Sequence, residues 1–328
     1  MQHYPDTIVY AFNEIIDGNS VNISDNIVGG LSYVIEDSLL TIDLLGPFAS
    51  HDTLFIRTKV DDRSGKDSLE IICTLYVEML ADYDLDNVVD VSDLSLFMDA
   101  WGNDDLTGEL GPVTGSVPHL VPSLDNEFDL RDIMVFTRMW HWSHQTGAGR
   151  ALAYESIGPD IDFLQDGDLL TLDLPMDARA SNLQVSYSNG SQTVTVPADH
   201  DPMDMVQLVH HEEENGRLVL DRAFLNEEMN KSVSFSMNFD GRDDVLLDVA
   251  YKVFGDSNRV IMSGRKTVNM VAVPDEFALH QNYPNPFNPV TQIDYDIPKE
   301  GLVRMVIYDV MGRQVRELVN RDLPAGYH

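Results

Sequence analysis

The stretch Asp82-Tyr83-Asp84-Leu85-Asp86-Asn87-Val88-Val89-Asp90-Val91-Ser92-Asp93 decides how the rest of the chain is read. Acidic residues stand at positions 1, 3, 5, 9 and 12 of these twelve. At that spacing, alternate residues of a tight loop aim oxygens at one hard cation, which takes roughly six to eight of them. In this reading Asp82, Asp84 and Asp86 supply side chains and Val88 its backbone carbonyl. Asp90 acts through a water, and Asp93 closes the site from the first turn of a helix. Leu94, Phe97 and Trp101 follow at the spacing of one helix face.

The pattern returns 39 residues on. Asp125, Asn126, Phe128, Asp129, Asp132, Ile133, Phe136 and Trp140 match Asp86, Asn87, Val89, Asp90, Asp93, Leu94, Phe97 and Trp101 at that single offset. Such a repeat weighs more than either copy alone. Two short amphipathic helices, each led by an acidic loop, are expected to pack Phe97, Trp101, Phe136 and Trp140 against each other. Val121 and Ser123 fall at positions 1 and 3 of the second copy, so its expected ligands are Asp125, the Glu127 carbonyl, Asp129 and Asp132. The alternative for either copy is a solvated acidic turn. Five well-spaced acids argue against it in the first and leave it open in the second.

Residues 80–143 thereby resemble the dockerin type I module, a pair of loop–helix calcium motifs whose last ligand is Asp. The resemblance implies Ca2+ as cofactor and a cohesin-like or intramolecular β-domain partner. Asn87 stands where the family has Gly, and Asn tolerates the left-handed backbone that the turn needs. The insert Glu109-Leu-Gly-Pro-Val-Thr-Gly115 is longer than the family's usual connection.

The chain has 328 residues, 43% of them hydrophobic, and a formal charge of −34, which allows several cored domains. The charge argues against nucleic acid and anionic membrane surfaces, and it suits cation binding in a salty exterior. No apolar run reaches the length of a transmembrane helix. Met1-Gln-His-Tyr-Pro5 lacks the basic start and apolar core of a signal peptide, so the chain is expected to begin inside a larger protein. The single Cys73 sits in the apolar run Leu69–Tyr76 and reads as a core residue.

The expected fold class is mainly β: multidomain β-sandwiches with the small helical loop–helix pair between them. Residues 1–80 read as strands at Thr7–Phe12, Ser38–Leu44, Asp52–Val60 and Ser68–Glu78. The phrases Val9-Tyr-Ala-Phe-Asn-Glu14, Leu39-Leu-Thr-Ile42 and Val60-Asp-Asp-Arg-Ser-Gly65 resemble bacterial Ig-like domains of secreted and surface proteins. Glu14, Asp17, Asp61 and Asp62 are either a junction cation site or ordinary turn acids. Residues 81–145 form the dockerin-like pair, and residues 146–150 a linker. Residues 150–273 read as a second sandwich, cohesin-like or carbohydrate-binding-module-like, with strands at Leu169–Leu174, Ser232–Phe239, Leu246–Phe254 and Thr267–Val273. Two hairpins are expected there. Leu183–Tyr187 and Thr193–Val196 flank Asn189-Gly190; Met205–His211 and Leu218–Asp221 flank Asn215-Gly216, both as type I′ turns. His210-His211-Glu212 lacks the spacing of a zinc helix and reads as a hairpin end. Asp160, Asp162, Asp166 and Asp168 are either a calcium loop or a solvated one.

From Pro274 the composition turns Pro- and Asn-rich. Gln281-Asn282-Tyr283-Pro284-Asn285-Pro286-Phe287-Asn288-Pro289, Ile307-Tyr-Asp309, Gly312-Arg313 and Ala325-Gly326 resemble the C-terminal sorting domain of the type IX secretion system. The resemblance covers 274–328. It implies a small β-sandwich that addresses its cargo to the type IX secretion machinery and places it outside the cell or on the outer-membrane surface. Its lead-in is expected to be extended, with an aromatic wedge at Tyr283 and Phe287, followed by strands at Thr291–Ile297, Leu302–Tyr308 and Gln314–Val319. The family continues past the Tyr327-His328 end, so edges such as Gln314–Val319 are expected to stay unpaired.

No nucleophile elbow, phosphate-binding loop or Cys-x-x-Cys is present. The reading is a non-catalytic accessory region of a secreted or surface bacterial protein. The alternative is the C-terminal part of a secreted polysaccharide- or protein-degrading hydrolase whose catalytic domain lies upstream. A third reading gives residues 150–273 a carbohydrate ligand.

Overall fold

Alternating apolar and polar residues dominate the chain, and the computed structural model turns them into sheets. It describes residues 7–27, 29–46, 48–61, 68–146, 154–188, 192–197, 204–225, 231–239 and 244–328. Asp62, the Gly147–Arg150 part of the linker and the Asn189-Gly190 turn lie outside these residues. The chain divides into two compact units, 1–152 and 153–328.

The first unit opens with β1 (Thr7–Ala11), β2 (Asn22–Asp25), β3 (Leu31–Glu36), β4 (Leu39–Leu44), β5 (Thr53–Asp61) and β6 (Ser68–Tyr76). Two antiparallel sheets, β1-β4-β3 and β2-β5-β6, form a sandwich. Period-two burial supplies the core: Leu40, Ile42 and Leu44 from β4 face Leu54, Ile56 and Val60 from β5. Cys73 packs against this core, as its apolar run implied. Four expected strands are present. β2 and β3 were not anticipated; β2 is a four-residue polar segment, Asn-Ile-Ser-Asp, held by pairing with β5.

The helical module follows with α1 (Val91–Gly102), the hairpin of β7 (Val113–Ser116) and β8 (His119–Pro122), and α2 (Leu130–Gln145). The turn Ala49–Asp52 fastens it to the sandwich. Ser50 N–H donates to the Leu120 carbonyl at 2.8 Å, and Leu80 N–H to Ser50 Oγ at 2.7 Å. His119 pairs with Asp52 at 2.6 Å, and the His51 and Trp142 rings meet edge-on at 5.5 Å.

The second unit contains β9 (Phe163–Asp166), β10 (Leu169–Asp173), β11 (Ala180–Tyr187), β12 (Gln192–Thr195), β13 (Met205–Glu212), β14 (Arg217–Phe224), β15 (Ser232–Phe239), β16 (Val245–Gly255) and β17 (Arg259–Met270). Sheets β12-β15-β10-β9 and β13-β14-β11-β16-β17 enclose Leu170, Leu172, Phe235, Leu183, Leu220 and Val249. Two sequence expectations fail here. β11 and β12 are not a hairpin: β11 pairs with β14 and β16, whereas β12 pairs with β15 in the opposite sheet. β13 and β14 are a hairpin, but not through a type I′ turn. Residues Glu213–Asn215 form a 3-10 turn, and only Gly216 takes the left-handed backbone, at φ 60°. The expected Thr267–Val273 strand starts earlier, at Arg259, and ends at Met270.

Lys231 is a buried cation in this sandwich, 1% exposed, whose ammonium donates to the carbonyls of Met176 (2.6 Å) and Ala178 (2.7 Å). Lys231→Met keeps the stem and leaves both carbonyls without that donor, so urea denaturation is expected to show a loss of about 2 kcal/mol.

The chain closes with β18 (Ala278–Leu279), β19 (Tyr295–Ile297), β20 (Gly301–Tyr308), β21 (Gln314–Leu323) and β22 (Gly326–Tyr327). Among the described residues β20 and β21 pair only with each other, so each keeps one open edge. The Pro-rich lead-in is not extended as expected. Tyr283 and Gln292 exchange both backbone hydrogen bonds, at 3.0 and 2.9 Å, and close residues 283–292 into a loop. Asn282 Nδ2 donates to Thr291 Oγ1 at 2.9 Å, and Thr291 Oγ1 to the Pro284 carbonyl at 3.0 Å. Tyr283 and Phe287 both stand exposed on this loop, so the wedge is not buried.

Candidate metal centre

Asp90 and Asp93 start α1 as a capping box. The Asp90 carboxylate accepts Ser92 N–H at 2.7 Å, and Asp93 Oδ2 accepts Asp90 N–H at 3.0 Å. This fixes the last acid of the loop in the first helical turn. Asp93 is fully buried, and its other oxygen reaches back to Tyr83 N–H (2.6 Å) and Asp84 N–H (3.3 Å). The start of the loop is thus tied to its end.

Asp82 shapes the turn between them. Its carboxylate accepts Asp86 N–H at 3.1 Å and Asn87 N–H at 2.9 Å, while Asp86 accepts Val88 N–H at 2.9 Å. Leu85 and Asn87 take left-handed backbone at φ 61° and 68°, as the position of Asn87 required. The result brings one oxygen each of Asp82, Asp84 and Asp86 within 4.8 Å of one another. Asp90 and Asp93 are turned to backbone N–H groups beside that cluster.

The chemistry of this donor set fits a hard divalent cation: all-oxygen, acidic and half-open, with Asp84 and Asp86 exposed and Asp82 buried. Electrostatics point the same way. Burial pushes the Asp82 carboxyl up to about 6 against the hydrogen bonds it accepts, with repulsion from Asp86 and Asp84 adding to the rise. Burial pushes Asp93 up to about 9, with Asp90 and Asp84 repelling its charge. Both carboxyls therefore hold a proton to higher pH than a solvated Asp does when no other cation is near. A carboxyl raised in the fold stabilises it fully below the ordinary carboxylate range, and that contribution is lost as pH rises towards about 9. Chelator-treated protein is expected to melt at a lower temperature near pH 8 than near pH 5, followed by tryptophan fluorescence. Calcium, which binds the deprotonated ligands, is expected to reverse the trend. A chelated melt that rises with pH would contradict the burial argument.

The second copy repeats the framework with different parts. Asp132 Oδ1 accepts Leu110 N–H (2.8 Å) and Gly111 N–H (2.9 Å), as Asp93 accepts Tyr83 and Asp84. Asp132 Oδ2 accepts Asp129 N–H at 2.7 Å, completing the capping box of α2. Glu109 Oε1 accepts Asp125 N–H (2.5 Å) and Asn126 N–H (2.9 Å), the bonds that Asp82 makes in the first copy. Asn126 is left-handed at φ 61°. Glu109 and Gly111 therefore hold positions 1 and 3, not Val121 and Ser123. The β7–β8 hairpin is spliced into the loop between positions 3 and 5, and Ser123 N–H closes it on the Pro112 carbonyl at 2.8 Å. Asp125, Glu127 and Asp129 converge on the Arg131 guanidinium, at 2.7, 3.1 and 2.7 Å.

Between the helices the Phe97 ring lies 5.1 Å from Phe136 and 5.3 Å from Phe128. Trp101 meets Phe128 edge-on at 5.0 Å rather than Trp140, and buried Trp140 lies against His144 at 4.0 Å. Phe128 completes this aromatic cluster; its place in the repeat, opposite Val89, was the available signal. Tyr83 Oη donates to the Gly108 carbonyl at 2.6 Å, and Val89 N–H to Ser143 Oγ of α2 at 3.1 Å. The first loop is thus bonded both to the segment after α1 and to α2.

Several of the remaining candidates hold other partners. Asp17 accepts Asn19 N–H at 3.1 Å, an ordinary turn bond. Lys266 Nζ sits on the Ile161 carbonyl (2.7 Å) and Asp162 (3.2 Å) beside the Asp160–Asp168 stretch, and Tyr251 donates to Asp160. His211 bonds Tyr187 Oη at 2.5 Å, and His210 lies 3.3 Å from Glu212 at the β13 end.

No protein-family model matches the chain, and no curated protein matches it. Solved structures similar to it include the cohesin module of a family 33 glycoside hydrolase from Clostridium perfringens. That likeness has 13% identity and TM-score 0.26, covering 36% of this chain and 98% of that one. A type II cohesin domain from the cellulosome of Acetivibrio cellulolyticus is 10% identical, with TM-score 0.25, covering 35% of this chain and 95% of that one. The collagen adhesin of S. aureus is 8% identical, with TM-score 0.21, covering 81% of each chain. At these scores the likenesses carry no argument; the mainly β, multi-sandwich architecture rests on the strand pairings themselves. No helix among the described residues is long and apolar enough to cross a membrane.

Proposed function

We propose that this chain is a non-catalytic accessory region of a secreted or cell-surface bacterial protein, built around a calcium-organised module. The observation that carries the reading is the convergence of Asp82, Asp84 and Asp86 beside buried Asp93 at the start of α1. Bound calcium would supply the positive charge that this oxygen cluster lacks. Asp82, Asp84 and Asp86 would hold it, with Asp93 locking the loop to the helix start. Capping by Asp90 and Asp93 sets α1, and α1 delivers Phe97 into the aromatic cluster; loop and core thus order together. The sandwiches serve as spacers or binding surfaces. The sequence likeness of residues 274–328 supports an address read by the type IX secretion machinery. The exposed Tyr283 and Phe287 of its closed loop are the side chains a receptor would meet first.

Limited proteolysis of the whole chain tests the module. With chelator, cleavage is expected within residues 82–90, and calcium is expected to slow it at least tenfold. Equal cleavage in chelator and calcium would remove the proposal.

A further inference from the structure

We propose that the second loop carries its own cation, the Arg131 guanidinium, paired with Asp125, Glu127 and Asp129, whereas the first loop takes a metal, so that the module is built for one ion. The inference rests on the calcium reading of the first loop and adds to it. The two loops superpose bond for bond: Glu109 and Asp132 make the backbone hydrogen bonds of Asp82 and Asp93, and Asp129 accepts Arg131 N–H at 2.7 Å as Asp90 accepts Ser92 N–H. The charge is where the two copies part. Ser92, uncharged, becomes Arg131 in the second copy. Its Nη1 lies 2.7 Å from Asp125, and its Nη2 lies 2.7 Å from Asp129 and 3.1 Å from Glu127; Nε also donates to Asp129 at 2.9 Å.

The ligand ledger agrees. Position 3, an Asp in the first loop, is Gly111 in the second and offers no side-chain oxygen. The acid at position 1, Glu109, arrives across an inserted hairpin. A planar, permanently charged group with five donors serves the three carboxylates around it and needs no metal supply. The second loop's acids therefore keep a counter-charge when calcium is withdrawn, while those of the first loop lose theirs.

The test counts bound ions by calorimetry and equilibrium dialysis with calcium alone, on the full chain. Folding is checked by tryptophan emission, and Arg131→Ser serves as a second variant should Arg131→Gln fail to fold. The wild type is expected to bind one ion, and Asp82→Ala/Asp84→Ala none. Arg131→Gln, with the first loop intact, is expected to bind one more than the wild type, because Asp125, Glu127 and Asp129 then lack their counter-charge. Retention of an ion in Asp82→Ala/Asp84→Ala, or no added ion in either Arg131 variant, would overturn the proposal. No ion at all in the wild type would instead overturn the first-loop reading, since the added ion in the Arg131 variants is counted separately.

Discussion

Asp93→Ala is expected to abolish the calcium response and to destabilise the calcium-loaded module by about 3 kcal/mol. Three backbone N–H groups, those of Tyr83, Asp84 and Asp90, converge on this fully buried carboxylate. Each buried donor left unpaired costs about 1–3 kcal/mol, offset in part by relief from burying the carboxylate. The control is Asp90→Ala, which removes the side chain that caps Ser92 N–H and is expected to cost about 1 kcal/mol. Chemical denaturation in calcium, followed by tryptophan fluorescence, measures both. Equal losses in the two variants would reduce Asp93 to a helix cap.

Phe97→Ala is expected to have an effect of similar or greater size, about 3–5 kcal/mol. Phe97 is fully buried, and its ring contacts Tyr83, Trp101, Phe128 and Phe136. Four rigid rings collapse poorly into the space a benzyl group leaves, so the cavity term persists. Tyr83 links this cluster to the first loop. The variant should therefore also weaken calcium binding, although Phe97 offers no oxygen to the ion. Unchanged calcium affinity with the stability loss would show that loop and core are ordered independently.

The acidic loop of the first copy was legible because its signal is local. Carboxylates at alternate positions, a left-handed Asn and an Asp-x-x-Asp capping box all lie within the twelve residues Asp82–Asp93. The second loop was legible only from Asp125 onward. Glu109 is separated from Asp125 by a hairpin, and a fixed offset cannot find an acid that reaches position 1 across an insertion. Arg131 was hidden differently: it is a helix-surface arginine until the fold brings Asp125, Glu127 and Asp129 around it. In the β regions, alternation gave the strands but not their partners. Leu183–Tyr187 and Thr193–Val196 look like a hairpin across Asn189-Gly190, yet they belong to opposite sheets. Turn chemistry is set by neighbours in sequence, whereas sheet membership is set by which core each face joins.

The central claim is that calcium organises residues 82–142, and a calcium titration of chelator-treated protein followed by tryptophan emission tests it most directly. All three tryptophans, Trp101, Trp140 and Trp142, lie in that stretch. The account predicts a saturable change with calorimetric heat at one ion per chain, both absent in Asp82→Ala/Asp84→Ala. An emission spectrum that does not move, with calorimetry silent, would contradict it and leave Asp82–Asp93 a solvated turn on a string of β domains.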